Sequence, residues 1–162
     1  MRNFDYLQQI PALQDLYKYC HAAEEMQQTD YDSCGWNCRK ALEWTVRAVY
    51  KLKHETIGER DNLYTLSTGK AFTDLIDDDD KLMMAVHYVR KDGNVAVHQG
   101  GITQREAYFT LLNTYNVVGG VLLRLGVLRT LAPFDKEMIP SKPSPFVAPA
   151  SNVPEATKEF VE

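Results

Sequence analysis

The sequence predicts an all-α fold, a four-helix-bundle-like body with short connecting helices and an extended, proline-rich C-terminal tail. Apolar residues recur at the helical spacing of three and four positions through most of residues 1–132. Strand-like alternation extends over no useful length of the chain. Thr103 and Glu106 form a capping-box pair of the kind that begins a helix.

Four amphipathic stretches supply the main helices of this prediction. The first covers about residues 11–28, and the second covers about residues 32–54. Acidic residues 77–80 precede the third, where they complement the dipole of a helix N-terminus. The fourth follows the capping box and covers about residues 103–126. Residues 62–66 predict one short connecting helix.

The stretch 89–98 joins the third and fourth predicted helices and contains an unusual density of polar side chains. The amphipathic run ends at Arg90 and Lys91, and Gly93 offers the left-handed backbone position that often ends a helix. Asn94 is a good N-cap for a short new helical turn that closes at His98. We therefore predict a helix break at Gly93.

The chain divides by composition into a helical domain, residues 1–132, and a tail, residues 133–162. Six of the seven prolines lie at or beyond Pro133, where helical periodicity is lost. Such a segment favours an extended linker. We therefore expect the tail to lead to further domains of a longer protein.

Composition indicates a cytoplasmic protein that does not cross a membrane. The N-terminus lacks the apolar core of a signal peptide, and no apolar run reaches about 18 residues. Three cysteines, an odd number, suit a reducing compartment. The formal net charge of −4 gives no general attraction to nucleic acid.

The three cysteines are possible ligands of a zinc ion. Cys34 and Cys38 are one helical turn apart, and Cys20 lies on the preceding predicted helix. Structural zinc sites usually place paired cysteines on a tight knuckle, and free cysteines are commonly buried. We predict buried thiols here, with no metal and no cofactor for this segment.

One basic stretch is the candidate surface for nucleic acid. Between residues 39 and 60 there are six basic and three acidic side chains, with aromatic residues interleaved. The pattern has two interpretations, a solvated helix face or a nucleic-acid surface. The binding candidates are Arg39, Lys40, Arg47 and Lys51, with Glu43 on the same stripe.

Arg90 and His98 are the candidate catalytic pair. In a ribonuclease, a histidine can act as general base on a 2′-hydroxyl while an arginine stabilises the pentavalent phosphate. No acid partner is identifiable in the sequence. The competing interpretation is a structural helix junction, in which both side chains bond backbone carbonyls.

The body contains three short motifs, Asn3-Phe4-x-Tyr6-Leu7, Arg39-Lys40-Ala41-Leu42-Glu43 and Val89-Arg90-Lys91-x-Gly93-Asn94-x-Ala96-x-His98. Together they resemble one protein family, the helical N-terminal domain found ahead of the helicase motor in R subunits of type I restriction-modification systems. The match spans most of the body, and its most specific part is the Gly-Asn-x-Ala-x-His pattern.

The resemblance implies an accessory domain of an ATP-dependent endonuclease for host defence, with modification and specificity subunits as partners and DNA or RNA as a possible contact. The motor and the nuclease are not visible in these 162 residues. The family is similar to the HEPN superfamily, which implies the alternative of a dimeric ribonuclease using Arg90 and His98. A stand-alone protein-interaction module is the third hypothesis.

Overall fold

The structure is a computed structural model that describes residues 1–141 as helices and loops, with no strand among them. The all-α prediction is therefore confirmed. None of the described helices combines the length and apolarity that crossing a bilayer requires. The α-helices are α1 (Gln14–Met26), α2 (Tyr31–Leu52), α3 (Leu63–Thr68), α4 (Lys70–Ile76), α5 (Asp80–His98) and α6 (Gln104–Arg124). Short 3-10 helices span Asp5–Gln9, Pro11–Leu13 and Lys136–Met138.

Helix α2 is the centre of the packing, since it contacts α1, α5 and α6, while α5 also packs along α6. The short helices α3 and α4 contact both α2 and α5. One core of aliphatic and aromatic side chains fills the space between these helices. Burial of each large apolar side chain stabilises the fold by roughly 1.5–3 kcal/mol. Fully buried examples include Phe4, Leu16, Leu42, Phe72 and Leu111.

The predicted helix break at Gly93 is wrong, because α5 continues without interruption from Asp80 to His98. Gly93 lies where α5 crosses α2. A Cβ atom at this position would lie 2.6 Å from the Cβ of Arg39 and 3.2 Å from the carbonyl oxygen of Gly35. The glycine therefore permits close approach of the two helices. Asn94 caps nothing and lies exposed within the helix.

A second small-residue contact completes this crossing. A Cβ atom at Gly35 would lie 2.8 Å from the Cβ of Ala96. The two helix backbones can approach closely because the residues at the contact are small: Gly35, Gly93 and Ala96. In the Gly-Asn-x-Ala pattern, the glycine and the alanine are therefore the residues of a helix crossing. Sequence reasoning missed this contact because its partner residue lies on another helix.

Helix α5 ends at two glycines with left-handed backbone, Gly100 at φ 75° and Gly101 at φ 84°. The carboxylate of Asp32 on α2 accepts hydrogen bonds from the backbone N–H groups of Gly101, at 2.9 Å, and Ile102, at 3.0 Å. The predicted capping box then begins α6. Thr103 Oγ1 accepts from the Glu106 N–H at 3.1 Å, and a Glu106 carboxylate oxygen accepts from the Thr103 N–H at 2.8 Å.

The packed body extends past the boundary predicted at residue 132. Asn3 Nδ2 donates to the carbonyl oxygen of Asp135 at 2.9 Å, and its Oδ1 accepts from the Asp135 N–H at 2.8 Å. The same Nδ2 donates to the Glu24 carboxylate at 2.7 Å. The ring of Phe134 packs edge-on against Tyr115. Residues 133–141 thus belong to the body, and the rest of the predicted tail lies outside the described residues.

Candidate nucleic-acid interface

A basic pocket of about 390 Å³ lies between α2, the start of α3 and the middle of α5. Its lining contains two arginines, a lysine and a histidine, and none of the described residues that line it is acidic. Such an excess of basic side chains attracts anions and makes the pocket a candidate anion site. The lining residues are Arg39, Asn62, Leu63, Tyr64, His87, Arg90, Lys91 and Asn94.

The guanidinium group of Arg90 contacts three side chains. Its Nη1 donates to Ser67 Oγ at 3.2 Å, and its Nη2 lies 2.7 Å from His87 Nδ1. Its Cζ lies 4.9 Å from the centre of the Tyr64 ring, a cation–π distance. An arginine side chain only donates, so Nδ1 of His87 is the acceptor and its Nε2 carries the proton. The guanidinium is therefore positioned before any ligand arrives.

Arg39 brings a second guanidinium from α2, and its stem crosses over Gly93. Its Nε is buried and has no hydrogen-bond partner among the described residues. An unsatisfied buried donor typically costs about 1–3 kcal/mol, and more when the group is charged. Guanidinium groups are also the side chains best suited to bind phosphate oxygens, which makes Arg39 a candidate ligand for an anion at this pocket.

The other predicted nucleic-acid candidates do not form one surface with Arg39. Lys40 and Arg47 both approach Glu43, at 3.5 Å and 3.9 Å. Such exposed pairs contribute about 0–1 kcal/mol each. Arg47 and Lys51 border an apolar groove on another side of α2. The stripe predicted from the sequence therefore divides, and Arg39 alone lines the basic pocket.

The structure does not bring Arg90 and His98 together within one chain. Both lie on the continuous helix α5, eight residues apart, which corresponds to about 12 Å along the axis. His98 is exposed, whereas His87 is the histidine that contacts Arg90. Sequence reasoning missed His87, although the i, i+3 spacing to Arg90 on a helix is the signal that identifies it.

The three cysteines are free and fully buried in the core. Burial raises the pKa of the Cys20 thiol, and the neighbouring Cys38 thiol together with burial raises the pKa of the Cys34 thiol, whose Sγ donates to the Ala107 carbonyl oxygen. Metal binding requires thiolates, so these environments oppose it. In residues 1–141 no cluster of three His, Cys, Asp or Glu side chains is placed to hold a metal ion.

No family model, no curated protein and no solved structure matches this chain. The resemblance to restriction subunits therefore rests on the three motifs alone. The structure gives these motifs physical roles: Asn3 and Phe4 anchor the N-terminus, Gly93 allows the helix crossing, and Arg39 and Arg90 line the pocket.

Proposed function

We propose that this domain is a non-catalytic module that holds the phosphate backbone of a nucleic acid, as an accessory part of a cytoplasmic type I restriction R subunit. One observation carries the proposal. Arg39 and Arg90 line one pocket from two different helices, and none of the described residues that line it is acidic. An arginine guanidinium group can donate two parallel hydrogen bonds to the oxygens of one phosphate, so two arginines in one pocket favour a phosphate ligand.

The aromatic ring beside the pocket favours single-stranded nucleic acid. The Tyr64 side chain is 59% exposed, although Arg90 covers one face of its ring. Exposed aromatic rings next to cationic grooves stack the bases of single strands, whereas a duplex hides its bases from such contact. A phosphate at the arginines and a base near Tyr64 would thus engage a single nucleotide.

The absence of a carboxylate from the described lining supports binding over catalysis. His87 is the nearest candidate general base, but its Nδ1 accepts from Arg90. The restriction context comes from the motifs, whose residues Arg39, Arg90 and Asn94 all line this pocket. Modification and specificity subunits would then be the protein partners.

Oligonucleotide binding tests the nucleic-acid part of the proposal. Fluorescence anisotropy with a labelled oligothymidylate, titrated over a series of salt concentrations, measures affinity and its salt dependence. We expect Arg90→Gln to weaken binding about tenfold and to reduce the salt slope by about one, as loss of one phosphate contact does. Lys51→Gln removes one positive charge outside the pocket and is the matched control. Equal losses in both variants would exclude the pocket as the site.

The restriction part of the proposal needs a separate test. The reading frame in the source genome should continue into a helicase motor that contains a Walker A loop. Co-purification of the full-length product with modification and specificity subunits tests the assembly directly. A reading frame that ends after Glu162 would contradict membership of an R subunit and would leave the oligonucleotide result unaffected.

A HEPN-like ribonuclease is the second candidate function. The observation that favours it is the exposure of His98 near the end of α5, where a second copy of the chain can approach it. A homodimer could then pair Arg90 of one copy with His98 of the other. RNA cleavage by the wild type that His98→Ala abolishes would support this candidate. Equal cleavage by both proteins, or by neither, would end it.

A further inference from the structure

An open apolar groove of about 490 Å³ lies on another side of α2 and shares no lining residue with the basic pocket. Its walls come from the segment before α1, from the second half of α2 and from the end of α6. Two of its side chains are unusually exposed for aliphatic residues, Leu52 at 59% and Val127 at 41%. The partly buried ring of Trp44 also lines the groove. Contiguous apolar surface of this kind commonly marks a binding site.

The groove has one charged edge. Arg47 and Lys51 lie four residues apart on α2, so their Cβ atoms are separated by about 6 Å. None of the described residues that line the groove is acidic. Glu43 lies outside the groove and reaches Arg47 only at 3.9 Å. The edge therefore presents two positive charges at helical spacing beside an apolar surface.

We infer that this groove docks an amphipathic helix of a protein partner that carries acidic side chains along one flank. Apolar side chains one turn apart on that helix would pack against Trp44, Leu52 and Val127. Acidic side chains four residues apart would meet Arg47 and Lys51 at matching spacing. This is the helix-in-groove mode of recognition, in which apolar anchors supply affinity and flanking charges select the partner.

The apolar lining and the charged edge together distinguish this occupant from others. A nucleic acid needs hydrogen-bond partners for its phosphates, and most of the groove wall cannot provide them. An added peptide strand needs an open sheet edge, and residues 1–141 contain no sheet. The groove is separate from the basic pocket, so the inference does not depend on the proposed function.

A pair of designed peptides tests this inference on the whole chain. The first is a helical peptide of about 15 residues, a length at which helices become stable. It has leucines at positions i, i+3 and i+7, and glutamates four apart on one flank. The second peptide replaces each glutamate with lysine. Trp36→Phe leaves Trp44 as the fluorescent reporter in the groove, and circular dichroism verifies that each variant is folded.

We expect the acidic peptide to change Trp44 emission and to bind at least about tenfold more tightly than the basic peptide, which is the effect of about 1.4 kcal/mol. The double variant Arg47→Glu with Lys51→Glu should reverse this preference. Val127→Ser should weaken both peptides to a similar extent, because it removes apolar contact without altering charge.

Four results would overturn the inference. Binding of neither peptide would exclude a helix as the occupant, and equal binding of both would exclude selection by charge. A preference that the double charge reversal leaves unchanged would place the peptide elsewhere. A homodimer in sedimentation that Leu52→Glu dissociates would assign the groove to a second copy of the chain instead.

Discussion

The two faces of α5 between Arg90 and His98 differ in kind, although they occupy the same three turns of helix. One face is steric: Gly93 and Ala96 lie against α2 at distances that leave no room for larger side chains. The other face is chemical, with Arg90 and Asn94 lining the basic pocket. The close approach on the first face brings α2 against α5, and Arg39 of α2 and Arg90 of α5 line the same basic pocket.

The largest effect is expected from a substitution that disrupts the close contact between α5 and α2. Gly93→Val adds a branched side chain that would collide with the Cβ of Arg39, 2.6 Å from the added Cβ position. We expect a loss of about 3 kcal/mol in the free energy of unfolding, the upper range for overpacking. Lys91→Ala, exposed on the same helix, is the control and should stay within about 0.5 kcal/mol. Urea denaturation measures both. Equal stability of the two variants would contradict the tight crossing.

The next effect concerns Glu24, a buried carboxyl group that has hydrogen-bond partners, whereas the buried Nε of Arg39 has none among the described residues. Glu24 is fully buried and accepts from Asn3 and from the backbone N–H of Phe4. Burial raises the pKa of Glu24 even though these hydrogen bonds lower it. Because the folded state binds this proton more tightly than the unfolded state, stability falls as pH rises from the ordinary glutamate range through the raised pKa.

Glu24→Gln removes this titration, and the chemically similar amide fills the same space. The difference in unfolding free energy between wild type and variant should therefore shift with pH across that window, in favour of the wild type at its acidic end. Thermal or urea unfolding at a series of pH values measures it. A difference that is constant with pH would show that Glu24 has the same pKa in both states.

A smaller effect separates stability from binding at Arg39. Arg39→Met keeps an unbranched stem over Gly93 and removes the buried, unpartnered Nε. We expect stability to rise by up to about 1 kcal/mol, since an unsatisfied donor is lost. Oligonucleotide affinity should fall about tenfold, since one guanidinium leaves the pocket. Urea denaturation and anisotropy give the two values. A stability loss with unchanged affinity would make Arg39 a purely structural residue.

The smallest effect is expected away from α5. Arg47→Gln removes a long ion pair with Glu43 at 3.9 Å between partly exposed side chains. The free energy of unfolding should change by less than about 0.5 kcal/mol. Oligonucleotide affinity should also stay close to that of the wild type, because Arg47 lies outside the basic pocket. A large loss of oligonucleotide affinity in Arg47→Gln would instead support the prediction that the basic residues of α2 form one continuous nucleic-acid surface.

Local signals predicted much of the fold. The four long helices, the short helix near Asn62 and the capping box at Thr103 all follow from residues within one or two turns of one another. The predicted helix end at Gly93 was wrong because glycine is found both at helix ends and at positions where another backbone packs closely. The deciding neighbour, Gly35, lies on another helix. Nothing in the local sequence distinguishes the two cases.

The candidate site was predictable in part. Arg39 and Arg90 were both identified, but on separate grounds, as a basic stripe and a catalytic pair. Their meeting in one pocket depends on the crossing of α2 and α5, which no local pattern encodes. His87 was predictable, because it lies three residues before Arg90 on the third predicted helix and therefore on the same helix face. The contact between Asn3 and Asp135 spans 132 positions and has no sequence signal.

The contact between Asn3 and Asp135 holds the two ends of the body close together. Asn3 binds both Glu24 and Asp135, so the first residues and the segment after α6 meet at one corner. Domains fused before residue 1 and after residue 141 would therefore emerge side by side. For the same reason, a short linker between these ends should permit a circular permutant opened in the exposed loop between α2 and α3.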